Sequence, residues 1–85
     1  MNTAREETTY ISIRTAVSRS GLSQQVVQQC VERRLVVEPL TDADLAELRR
    51  IRRLQELGIN LAGIEVILRM RRRILELYDG GATDE

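Results

Sequence analysis

Residues 44 to 78, DLAELRRIRRLQELGINLAGIEVILRMRRRILELY, constrain the chain more than any other stretch. Leu45, Leu48, Ile51, Leu54 and Leu57 recur every three residues and trace one apolar stripe. Leu61, Ile64, Ile67/Leu68, Ile74/Leu75 and Tyr78 trace a second at steps of three and four. Those periods belong to amphipathic helices. Between the two, Gly58 suits the left-handed cap that ends a helix, and Asn60 can accept the orphan N–H groups that open the next. The spacing therefore predicts helices over about 42–57 and 61–79, with Gly80-Gly81 ending the last and residues 80–85 forming a polar tail.

The first half must supply what these helices pack against. Residues 1–9 carry no periodicity and read as a loose tail, leaving one domain over residues 10–79. In YISIRTAVSRSG, Ser12 suits an N-cap, Ile13, Ala16 and Val17 share a face, and Gly21 stops the helix, giving a first helix near 12–20. Leu22 enters the core and Ser23 caps a second helix, near 24–34. Its apolar side is Val26, Val27, Cys30 and Val31; its outer side is Gln24, Gln25, Gln28 and Glu32. Two short helices joined by Ser-Gly-Leu-Ser form a helix-turn-helix pattern. Leu35–Val37 reads as a brief extended stretch, and Pro39 forbids a helix through it. Thr41-Asp42-Ala43-Asp44 then sets an acid three residues beyond a capping hydroxyl. The fold class that follows is all-α with four helices.

Composition narrows the function. The 85 residues carry no histidine, which removes the commonest general base and metal ligand, and the carboxylates are scattered. No enzyme, cofactor or metal site is expected. Only 2% of residues are aromatic, so no platform exists for stacking bases. No apolar run approaches the roughly 18 residues of a membrane span and no signal-peptide pattern opens the chain, so a soluble, cytoplasmic protein is expected. Cys30, the single cysteine, reads as a small core hydrophobe, with a redox role as the alternative.

All 13 cationic residues are arginine, balanced by 13 acids. A GC-rich genome accounts for that choice, and so would guanidinium forks that grip phosphate or carboxylate. Neutrality argues against indiscriminate nucleic-acid binding and leaves only a local patch. Helical spacing pairs Glu47 with Arg50, Glu56 with Arg52 and Arg53, Glu65 with Arg69, and Glu76 with Arg72 and Arg73. Such pairs are worth roughly 0.2–0.5 kcal/mol each on an exposed helix. Arg71 has no acid three or four residues away: its stem either lies over apolar surface or meets an acid from elsewhere, such as a second chain. The last helix is apolar on two adjacent faces, and one small domain covers only one of them. A homodimer interface over Ile67, Met70, Arg71, Ile74, Leu77 and Tyr78 is the simplest expectation.

Helix, tight turn, helix, short strand and then DLAELRRIRRLQELGINLAGIEVIL resembles the MerR family of helix-turn-helix proteins, over about residues 10–78. The likeness is to its heat-shock, HspR-like branch and to the related CbpM-like chaperone modulators. The resemblance implies a second helix that enters the DNA major groove, a β-hairpin wing that grips the backbone, and a C-terminal helix that dimerises. Three departures stand out. Val27, Gln28, Gln29 and Cys30 replace a typical Leu-Arg-Tyr-Tyr run, the wing is cut to Glu38-Pro39-Leu40, and no effector-sensing domain is expected.

Two functions follow from the resemblance. As a DNA-binding transcription regulator, stress-linked and acting as a dimer on an operator, the chain would set Gln24, Gln25 and Gln28 (with Gln29 beside them) at base edges. Arg14, Arg19, Arg33 and Arg34 would hold phosphates. Glutamine is equally a tolerable helix former on a wet face. As a CbpM-like modulator, it would instead dock the basic helix of a DnaJ-type co-chaperone's J-domain on Glu38, Asp42, Asp44 and Glu47. Those acids also complement a helix N-terminus without any partner.

Overall fold

The computed structural model of the protein describes residues 8–83, in which four helices and a two-stranded sheet are formed. The order is β1 (Tyr10–Ile11), α1 (Ile13–Ser20), α2 (Gln24–Glu32), β2 (Leu40–Thr41), α3 (Asp42–Glu56) and α4 (Leu61–Thr83). The chain divides into two compact units, one reaching Arg53 and the other starting at Leu54.

Helix starts follow the side chains the sequence offers. Ser12 Oγ accepts the Thr15 N–H at 3.0 Å, and Ser23 Oγ accepts the Val26 N–H at 3.2 Å. At α3 the cap is reciprocal. The Thr41 N–H donates to Asp44 Oδ2 at 2.9 Å, while the Asp44 N–H reaches back to Thr41 Oγ1 at 3.4 Å. Asn60 Oδ1 accepts the Gly63 N–H at 2.8 Å and opens α4. Each such cap satisfies a donor that the helix cannot, and its loss costs about 1 kcal/mol.

Helix ends depend on left-handed residues. Gly21 (φ 80°) closes α1 and Gly58 (φ 90°) closes α3, as expected. After α3 the Gly58 N–H bonds to the Gln55 carbonyl at 2.8 Å and the Ile59 N–H to that of Leu54 at 3.2 Å, a Schellman pair. The same pair ends α2, but around Arg34 (φ 62°): its N–H reaches the Val31 carbonyl at 3.0 Å, and that of Leu35 reaches Cys30 at 2.9 Å. This is why α2 stops at Glu32, two residues before the predicted end. An arginine carries no left-handed signal.

Within the first unit, α1 packs on α2. Its buried apolar residues are Ala16, Leu22, Val27, Cys30, Val36, Leu40, Leu45, Leu48 and Ile51. Burying a side chain the size of Leu48 or Ile51 stabilises by roughly 1.5–3 kcal/mol. β1 and β2 pair antiparallel, with Tyr10 opposite Thr41 and Ile11 opposite Leu40. The strand thus lies at Leu40–Thr41, after the cis Glu38–Pro39 bond, and not at Leu35–Val37 as the β-branched residues suggested. Among the described residues no hairpin follows α2, so the wing is reduced to the loop before β2.

In the second unit Ile64 and Leu68 are buried, whereas Leu57, expected on the buried stripe, is 75% exposed. It falls past the last turn of α3, where Gly58 reverses the chain and the helical period no longer applies. α4 runs through Gly80 and Gly81 to Thr83 instead of ending before them. Glycine weakens a helix interior by about 1 kcal/mol relative to alanine but ends it only where the backbone turns left-handed. Of the predicted tails, residues 1–7 and 84–85 lie outside the described residues.

A left-handed non-glycine residue costs roughly 1–2 kcal/mol, partly offset by the greater freedom glycine has when unfolded. Arg34→Gly should therefore raise unfolding stability by about 1 kcal/mol, measured by urea denaturation; a lower midpoint in the variant would contradict the strain at this position.

Candidate nucleic-acid interface

The turn between α1 and α2 sets what α2 can present. Ser20 is buried, at 2% exposure, and its hydroxyl serves both sides of the turn. It donates to the Val17 carbonyl at 3.5 Å and accepts the Leu22 N–H at 3.1 Å. Gly21 provides the left-handed step, and Leu22 drops into the core. Ser23 then restarts the helix. No buried side-chain nitrogen or oxygen among the described residues lacks a partner, so this turn is closed at no polar penalty.

With the turn fixed, the helical period divides α2. Val27 and Cys30 are fully buried, Val26, Gln29 and Val31 half-buried, and Gln24, Gln25, Gln28 and Glu32 exposed. Each exposed glutamine has a free carboxamide, able to donate and accept at once. Arg14 and Arg19 are exposed on α1; Arg33, the C-cap of α2, and Arg34 are exposed at its far end. All seven of these candidate side chains are exposed, while Gln29 is partly withdrawn.

The acidic cluster fares differently. Glu38 and Asp42 are exposed, but Asp44 is the carboxylate of the α3 cap and Glu47 bonds Arg50 at 2.6 Å. Two of the four acids are therefore engaged within the chain. Arg69 pairs with Glu65 at 3.0 Å, as the spacing predicted.

Along α4, Ile67, Met70, Ile74, Leu75, Leu77 and Tyr78 are all exposed, from 37% at Ile67 to 73% at Tyr78. Ile67, Met70, Arg71, Ile74 and Leu75 line one shallow apolar groove. No helix among the described residues is long and apolar enough to cross a membrane.

Three residues of the turn region escaped the sequence. Ser20 had a local signal, a hydroxyl two residues before a buried leucine. Arg49 and Arg52 had none: Arg49 Nε donates to the Arg19 carbonyl at 3.3 Å across thirty residues of chain, and the Arg52 guanidinium lies over Gly21.

A helix, a left-handed turn holding a buried leucine, and a second capped helix with a polar outer face define a helix-turn-helix protein. The family model described as "MerR HTH family regulatory protein" matches residues 11–71, and the chain belongs to that family. Comparison with curated proteins and with solved structures gives no match.

Cys30 is fully buried, and that burial pushes its thiol from 9.0 up to about 11, with the nearby Arg33 charge pulling weakly the other way. Because the folded value lies above the unfolded one, the stabilisation is complete below pH 9 and is lost as pH rises from 9 towards 11. The urea midpoint should fall across that window in the native chain and fall less in Cys30→Ala; parallel curves would contradict it. At pH 8 the thiol should resist alkylation until the chain is unfolded.

Proposed function

We propose that the protein is a dimeric, DNA-binding transcription regulator whose second helix reads the major groove. The observation that carries this reading is the projection of Gln24, Gln25 and Gln28 into solvent from α2, on the side opposite Val27 and Cys30. A glutamine carboxamide matches the N6/N7 edge of adenine bidentately. Arg14, Arg19, Arg33 and Arg34 supply phosphate contacts, which fix register without reading sequence. With the wing reduced to a loop, each subunit makes few such contacts, so affinity depends on two subunits binding together.

The exposed face of α4 supports that pairing. Ile67, Met70, Ile74, Leu77 and Tyr78 form the seam, with Arg71 at its edge. The GINLAGIEVIL stretch resembles the heat-shock branch of the family and gives the regulator its stress link, acting in the cytoplasm. Docking to a J-domain through Glu38, Asp42, Asp44 and Glu47 is the weaker reading, because Asp44 and Glu47 already serve the chain itself.

Titration against the protein's own upstream DNA, at two salt concentrations, tests the reading. Gln28→Ala should cost on the order of 1–3 kcal/mol of sequence discrimination. Arg33→Ala should weaken all sequences alike and reduce the salt slope by about 1. Unchanged binding in both variants, or binding of a J-domain with no DNA shift, would overturn it. In sedimentation the native chain should be a dimer at micromolar concentration, and Ile74→Glu, which sets a charge in the apolar seam, should be a monomer. A native chain that stays monomeric at high micromolar concentration would remove the dimer.

A further inference from the structure

We infer that Arg49 and Arg52 of α3 are positioning residues that latch the turn of the helix-turn-helix from outside, and so set the presentation of α2. Two contacts, one on each side of the turn's start, carry this. Arg49 Nε donates to the Arg19 carbonyl at 3.3 Å, in the last turn of α1. The last carbonyls of a helix have no partner within it and carry the negative end of its dipole, so a guanidinium there is favoured twice. One turn further along α3, Arg52 lies across Gly21: a Cβ at Gly21 would fall 2.8 Å from its Nη1 and 2.9 Å from its Cζ. Gly21 is favoured by its φ of 80°, and a Cβ there would also displace the Arg52 guanidinium above it.

The two arginines are spaced by three and point to one side of α3, opposite in role to the buried Leu48 and Ile51 between and beside them. Both are exposed, so their removal leaves the core intact. The apolar contacts of Leu22 fix the depth of the turn; they do not fix its rotation, because a single leucine in a packed core is not a directional bond. The Arg49 hydrogen bond is directional and falls on the residue before Ser20, while the Arg52 guanidinium covers the residue after it. α3 therefore acts as a brace for α2 although the two are separated by the whole 33–41 segment.

Amide hydrogen exchange on the full chain, without DNA, tests this directly in the Arg49→Ala/Arg52→Ala double variant. The Gly21 and Leu22 amides, which donate to the Val17 carbonyl and to Ser20 Oγ, should exchange about tenfold faster, the equivalent of one lost hydrogen bond. The core amides of Ile51 and Ile64 should stay within about twofold, since local opening is independent of global unfolding. Unchanged turn amides, or uniform acceleration everywhere, overturns the latch. Gly21→Ala should also lower the melting temperature less in an Arg52→Ala background than in the native chain; equal shifts overturn the contact.

A third arm rests on the DNA reading above. With the double variant, discrimination between specific and random DNA should fall several-fold with an unchanged salt slope. A slope reduced by about 1.8 would assign the two guanidiniums to phosphates instead of to the turn, and overturn the inference. If the native chain binds no DNA, that failure belongs to the proposed function, while the exchange result still decides the latch.

Discussion

The face that α2 presents depends on the turn from Ser20 to Ser23. Four residues there do four different things: a buried hydroxyl bonds both sides, a glycine turns left-handed, a leucine anchors, and a serine restarts the helix. Were the turn to rotate α2, the period of 3.6 would bring valines and Cys30 outward and take glutamines in. The face that characterises the protein is a consequence of this closure, not an independent feature.

The core behind that face is built without phenylalanine or tryptophan. Valine, leucine, isoleucine and one cysteine fill it, and their branched or compact shapes suit the short distances between small helices. A chain of this size buries only about 60–65% of its unfolded surface, which leaves a small stability margin. Meanwhile α4 holds seven large apolar side chains in water, Val66 among them. Association that covered them would add to stability by mass action.

Much of this was legible in the sequence, and for physical reasons. Caps are local chemistry, so Ser12, Ser23, Thr41 with Asp44, Asn60, Gly21 and Gly58 announced the helix boundaries they set. The helical period likewise sorted Gln24, Gln25 and Gln28 from Val27 and Cys30, and exposed the greasy side of α4. What was hidden was non-local or atypical. The pairing of Tyr10–Ile11 with Leu40–Thr41 spans thirty residues and leaves no trace in either dipeptide. Arg34 ends α2 in a conformation its residue type disfavours, and Gly80-Gly81 passes through α4 without ending it. Charge divides the same way: the local pairs Thr41 with Asp44 and Glu47 with Arg50 follow from helical spacing and leave two of the four acids engaged within the chain. Arg49 and Arg52 looked like members of a solvated arginine face.

The proposed contact between the glutamine side of α2 and DNA can be followed by backbone amide shifts of the isotopically labelled full chain while its upstream DNA is added. The largest changes should fall at Gln24, Gln25 and Gln28, with smaller ones at Arg14, Arg33 and Arg34. Changes gathered at Glu38 and Asp42, or none in α2 at saturating DNA, would contradict it.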